Sequence, residues 1–321
     1  MNLEPSEAAA EYGRQALRAF EAAGGDRLVQ DAEREPARRH DLVAPVLEEL
    51  GAWDLDPRGD ADDLEAAAAL CRSAGHWALA YPLAERLARP AGPGTDGLLV
   101  VDGPAPQAPV AGLGLRWTAV TLDGRRGAAV AAPPPGPPRT TAFVTALDVG
   151  PLDRDGGGDG GGDGGGDAAL GLVLPCWTLL GMLDRAMELT RSHVLVRHQF
   201  GRPLAEQQGV QFQLTDAEVE RSGVEALAAY ALWSVQAGLP EALDDALALR
   251  LAALEAADTV FRTAHLLHGA IGFCDESPLS WLSRYSQPLR RLPLGLSATR
   301  DRLTRQIGRR GLTGLFPGAT A

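Results

Sequence analysis

Apolar residues recur along much of this chain at the spacing of a helix face. Residues 5–23 place Ala8, Tyr12, Ala16 and Phe20 four apart, which predicts a first helix. Residues 41–52 gather Leu42, Val43, Val46, Leu47 and Leu50 on one side ahead of Gly51, and the Ala-rich stretch 61–89 runs up to Pro90. Both read as further helices with a stop signal at the end. Between 97 and 148 the pattern shortens into four runs, Leu98–Val101, Trp117–Leu122, Ala128–Ala131 and Thr141–Thr145, separated by Gly and Pro. That alternation of brief apolar runs with turn residues predicts a small β unit. The Pro133–Pro138 tract within it predicts a stiff extended loop.

From 168 onward helical spacing returns. Residues 169–196 carry Met182, Ala186, Leu189 and His193 in a stripe, and residues 205–237 and 240–268 follow. In the last of these Leu243, Leu247, Leu254 and Phe261 recur at four and seven residues, the interval of a helical bundle. Two shorter helices are expected at 278–288 and 296–310. The fold class is therefore α+β: N-terminal helices over 1–92, a reduced middle β subdomain over 93–150, a linker over 151–167 and a C-terminal four-helix bundle over 168–321. The linker is the Asp/Gly repeat Asp153–Asp167, rich in the residue that loses most entropy on folding and in like charges. It resembles a calcium-binding tract only superficially, because its units carry no apolar residue to build a core.

At 321 residues, 45% hydrophobic and 22% charged, the chain can bury a large core. Its net charge of −12 argues against a general nucleic-acid or anionic-membrane binder. It does not argue against an anionic ligand held by a local arginine. Cys71, Cys176 and Cys274 are scattered and odd in number, so neither a disulfide framework nor a metal site is expected, and a reducing cytoplasm fits. The N-terminal residues are acidic without an apolar signal core, and no apolar run approaches the ~20 residues that span a bilayer.

The sharpest motif lies between the first two bundle helices: Arg197-His-Gln-Phe-Gly-Arg-Pro-Leu-Ala-Glu-Gln-Gln208, followed by Val210–Asp216 opening a helix. It resembles the Arg-x-x-Phe-Gly…Gln loop of the acyl-CoA dehydrogenases, and the order of helices, β unit and bundle resembles that family too. The resemblance implies a loop that reaches across a dimer interface to the FAD pyrophosphate of the neighbouring subunit. Arg197 would give a planar cation for bidentate bonds, Phe200 an apolar face and Gln208 a donor and an acceptor. Leu266–Pro278 resembles the family's Gln-x-x-Gly-Gly-x-Gly-Phe segment, which implies backbone approach to the same dinucleotide at Gly269 and Gly272. Here Leu266 replaces the usual Gln and Ala270 a Gly. Read alone, these glycines serve equally as a helix stop, and His268 as a core histidine.

The chemistry that the resemblance implies is removal of an α-proton while a β-hydride leaves for the flavin, which requires a carboxylate base. The two positions that carry it in the family fall on Leu294 and Gly171, and the neighbouring substrate arginine falls on Leu172. Asp184 and Glu188 lie three to four turns further along their helix, too far to stand in, and Asp275 and Glu276, nearer the dinucleotide loop, remain as weak candidates. The flavin-binding Thr-Glu-x-x-x-Gly-Ser-Asp loop is missing from the β unit. Trp117-Thr118 only distantly matches the tryptophan that shields the flavin, and a core role suits Trp117 better. The resemblance thus implies a subunit of a heteromeric acyl-CoA dehydrogenase without a base of its own. Its partner would be a full-length family member or a second copy, its substrate an acyl-CoA or carrier-bound acyl group, and the isolated chain would hold little FAD. A stand-alone flavoenzyme with a relocated base, and a flavin-free scaffold or non-redox protein, remain the alternatives.

Overall fold

A computed structural model describes residues 4–91, 94–103, 105–109, 113–132, 144–153 and 164–311. The Pro133–Pro138 loop, the first three residues of the Thr141–Thr145 run and residues 154–163 of the Asp/Gly repeat lie outside them. The N-terminal part holds α1 (Glu7–Ala22), α2 (Asp26–Arg34), α3 (Arg39–Glu49), α4 (Ala61–His76) and α5 (Leu83–Leu87). Ser6 caps α1 by accepting from Ala9 N at 3.2 Å, and the Asp60 carboxylate caps α4 through Asp62 N and Asp63 N.

Two expectations need correction here. Helix α2 was not anticipated, because its nine residues are mostly charged and only Leu28, Val29 and Ala32 turn inward. The stretch 61–89 is two helices and not one. The chain leaves α4 at Trp77 and passes through Ala78 at φ 49 before α5.

The β subdomain is one five-stranded sheet in the order β1-β3-β4-β5-β2, from β1 (Gly97–Val101), β2 (Gln107–Pro109), β3 (Arg116–Thr121), β4 (Arg126–Ala131) and β5 (Val144–Val149). β1 runs parallel to β3, and the remaining pairs are antiparallel. β1 is buried on both faces. Leu98 and Val100 enter the main core that extends through the helices, whereas Leu99 and Val101 join a small second core with Ala108, Trp117, Ala119, Ala129 and Leu147.

The bundle consists of α6 (Gly164–Val196), α7 (Gln208–Gln236), α8 (Ala242–His268), α9 (Pro278–Arg291) and α10 (Leu296–Arg310). A two-stranded hairpin of β6 (His198–Gln199) and β7 (Arg202–Pro203) joins α6 to α7. Helix α6 begins at Gly164, inside the stretch expected to be linker. The cause is long-range: Asp167 is 2% exposed and pairs with Arg58 from the loop ahead of α4 and with Arg126 of β4. Its charge also suits the first turn of a helix. Helix α6 corrects the reading of apolar runs as well. It is long and apolar enough to cross a membrane, yet 78% of that window is buried within the protein. Helices α4 and α6 cross at reciprocal glycines. A Cβ on Gly75 would stand 1.9 Å from Thr178 O, and one on Gly181 1.8 Å from Arg72 O, so only hydrogen fits at either position.

Candidate functional site

The Arg197 loop is a tight hairpin that turns through Phe200 at φ 54 and Gly201 at φ 79. Two successive positive φ angles define the type I′ turn that matches strand twist, and a glycine is expected at such positions. A phenylalanine in the left-handed region costs on the order of 1–2 kcal/mol. Its ring recovers none of that within this chain, being 90% exposed. Other exposed apolar groups lie on the adjoining elements: Leu195 and Val196 at the end of α6, Phe212 and Val219 on α7, Leu266 at the end of α8, and Ile271 and Phe273 beyond it. Arg197 and Gln208 are exposed on the same connection.

Two histidines tie this end of α6 to the end of α8. The rings of His193 and His268 stack with centroids 4.4 Å apart, one turn before Arg197 and directly before Gly269. The two glycine-bearing loops are thereby held at one end of the bundle. His268 Nδ1 meets Ala264 O at 2.8 Å, and His265 stacks on Phe273 at 4.3 Å. Burial lowers the pKa of all three histidines, and the charges of His268 and Arg197 lower His193 further. The histidine pair was not anticipated; only the shared phase of the two helices could have revealed it. Gly269 adopts φ 65 and ψ −145, a conformation reserved for glycine. Gly272 is buried, and a Cβ there would meet His268 Cβ at 3.0 Å. Its lack of a side chain thus serves the packing of the histidines.

The region of the two base positions is built differently. A Cβ on Gly171 would lie 2.7 Å from Val100 Cγ2 and 2.9 Å from Leu98 Cδ2, so strand β1 already fills the space a carboxylate side chain would need. Leu294 packs half-buried against the main core, and its carbonyl accepts from Arg250 Nη2 at 2.6 Å. The same guanidinium donates to Leu289 O at 3.2 Å, so a buried arginine of α8 pins the segment between α9 and α10. Gly171, Leu172 and Pro293 line a cavity of only about 30 Å³, together with Arg250 and Glu85 of α5. That is room for a water and not for an acyl chain. Glu85 is the buried carboxyl that sequence reading missed. Burial pushes its pKa up to about 7.

Asp184, Glu188 and Asp275 are engaged in ion pairs. Asp184 pairs with Arg72 at 2.6 Å and Arg221 at 2.9 Å, and Glu188 with Arg185 at 2.9 Å. Asp275 is exposed and pairs with Arg284 at 2.7 Å, and Glu276 is exposed. Trp117 sits in the second core with its ring against Gly97, where a Cβ would come within 2.5 Å of it. It therefore offers no open ring face to a flavin. The bundle end exposes a permanent cation at Arg197, an apolar ring at Phe200 and an amide at Gln208.

Residues 173–304 match the family description of the C-terminal domain of acyl-CoA dehydrogenase. Over 105 residues the chain is 31% identical to the acryloyl-CoA reductase (NADH) of Anaerotignum propionicum, covering 33% of this chain and 26% of that protein. Over 121 residues it is 33% identical to the probable acyl-CoA dehydrogenase FadE2 of Mycobacterium tuberculosis, covering 37% of this chain and 30% of that one. These matches span less than a third of either relative. Along nearly its whole length the chain superposes on a chain of the ChsE4-ChsE5 complex from Mycobacterium tuberculosis, with TM-score 0.72, 21% identity and coverage of 97% and 100%.

Proposed function

We propose that this chain, which has the acyl-CoA dehydrogenase fold and matches that family's C-terminal domain over residues 173–304, is a subunit that completes a flavin site held mainly by a partner. Arg197, Phe200 and Gln208, with the backbone at Gly269 and Gly272, would contact FAD across the interface. The observation that carries this reading is the contrast between a strained, 90% exposed Phe200 and base positions packed shut around Gly171. FAD, when bound, supplies the acceptor for the hydride that leaves the β-carbon of an acyl thioester. Arg197 would neutralise phosphate charge with its planar fork, and the Phe200 ring would exclude water from that contact. The partner, a full-length acyl-CoA dehydrogenase, would supply the base and the acyl pocket. One solved structure similar to this chain belongs to a complex of ChsE4 with ChsE5, which favours a heteromer over a homodimer.

Purification alone and with a co-expressed full-length family member tests this. The lone chain should show little absorbance near 450 nm, and the co-purified pair should be stoichiometrically yellow. Arg197→Ala should weaken FAD retention by the pair by about 2 kcal/mol, the worth of charge-assisted hydrogen bonds, with Lys restoring only part. A lone chain that stays yellow through dialysis, or unchanged retention in the Ala variant, would overturn the proposal.

A further inference from the structure

Two loops share the open end of the bundle, the hairpin after α6 and the turn after α8. Among the described residues no hydrogen bond or ion pair joins residues 195–208 to residues 269–276. Each loop closes on itself. Arg197 N donates to His193 O at 2.9 Å and Leu204 N to Arg197 O at 2.8 Å, while Cys274 N donates to Ile271 O at 3.1 Å. Asp275 pairs with Arg284 of α9. The directional contact between the two loops is a ring stack at their roots. His193 stands one turn ahead of Arg197 and His268 directly ahead of Gly269, with their planes 20° apart.

The surroundings of this stack disfavour charge on it. A carbonyl only accepts, so His268 Nδ1, 2.8 Å from Ala264 O, carries a hydrogen, and Nε2 is the nitrogen a further proton would take. Burial opposes that proton at both rings. The charges that act on His193 are those of His268 from α8 and Arg197 beyond its own helix, and His268 also acts on His265. Glu206 and Asp216 on the α7 side, and Asp275 and Glu276 after α8, are exposed and are not among them. Both rings are thus held below the usual ~6.5 of histidine. The sign follows: the neutral stack contributes stability that is present above about pH 6.5 and lost as pH falls. Two imidazolium rings 4.4 Å apart would repel each other, with Arg197 as a third cation nearby.

We propose that His193 and His268 are positioning residues that hold the Arg197 hairpin in register with the Gly269 turn only while both rings are neutral, so that acidification uncouples the two loops. The consequence for FAD, release from the assembled pair in acid, rests on the proposed flavin contact. The uncoupling itself does not.

Amide hydrogen exchange of the lone full chain at pH 7.5 and 5.5, corrected for the intrinsic rate, tests the uncoupling. Protection at Arg197, Leu204 and Cys274 should fall roughly tenfold at the lower pH, while residues 246–257 of α8 stay unchanged. His193→Phe keeps a flat ring on His268 but cannot take the proton, so its protection should hold at pH 5.5. His193→Ala should exchange at pH 7.5 as the unaltered chain does at 5.5. The ring NMR signals of His193 and His268 give a second readout, and both should titrate below about 6. Equal protection of the unaltered chain at both pH values overturns the proposal, as does acid sensitivity that survives in His193→Phe. Independent titration of the two rings near ~6.5 overturns it even if the variants fail to fold. In the co-purified pair, FAD should be lost at pH 5.5 and kept by His193→Phe. A pair without FAD at any pH, beside loops that uncouple in the lone chain, would refute the flavin contact and leave the histidine pair standing.

Discussion

Helix α6 passes through two regions that treat the same kind of residue in opposite ways. Near its start, Gly171 and Leu172 lie under strand β1, and the nearby cavity is about 30 Å³. At its far end Leu195 and Val196 are 63% and 73% exposed, and Phe200 just beyond is held at positive φ with its ring in solvent. Packing decides the first region, whereas in the second the Phe200 ring is 90% exposed. A core is filled because voids forfeit contacts on the order of 24 cal/mol per Å³. A strained aromatic in water stabilises nothing in the isolated chain. The difference teaches that one helix can be closed at one end by its own chain's packing and left open at the other, where the proposed interface would lie.

The most disruptive way to break the comparison is to force chemistry into the closed region. Gly171→Glu should cost about 4 kcal/mol or more, because the new side chain collides with Leu98 and Val100 and buries a carboxylate. Denaturant titration would measure the loss, and no dehydrogenase activity should appear in the lone chain. An active, unperturbed variant would mean that the region is open after all.

Next in size is a pH effect. The Glu85 pKa is raised from 4.5 to about 7 in the folded chain, so between those values the native state holds a proton that the unfolded state has released. Stability contributed by this group is therefore greatest below about pH 4.5, falls as pH rises through 7, and then levels, a change of about 3 kcal/mol. Glu85→Gln should flatten that part of the stability–pH profile. An identical slope in the variant would show that Glu85 reaches a partner or solvent.

The smallest expected change belongs to the exposed region. Phe200→Gly relieves the positive φ, so the lone chain should be as stable or up to about 1 kcal/mol more stable. The same variant should weaken assembly with the co-expressed partner. Gains in stability with loss of assembly would sharpen the contrast. A large destabilisation would instead assign Phe200 to this chain's own packing.

Helix boundaries were well marked where local signals suffice. Residues 240–268 and 296–310 read almost as they fold, because apolar period and end signals agree. The start of α6 escaped notice because Asp167 is held by Arg58 and Arg126, more than 40 residues distant in either case. Helix α2 escaped because so few of its residues are apolar, and the break after α4 because Ala78, not a glycine, makes the turn. In the candidate site, Arg197, Phe200 and Gln208 were legible as a contiguous motif. Glu85 was not, since burial of a carboxyl is a property of the tertiary fold, and neither was the His193–His268 stack.

The bare apolar end of the bundle also bears on how the chain fares in a cell. Phe200, Phe212, Leu266, Ile271 and Phe273 present the kind of surface that self-associates or is seized by quality control when nothing covers it. Its lifetime should then track the supply of whatever covers that end, with any excess cleared or aggregated. Balanced synthesis of the two would matter as much to its abundance as its own folding stability.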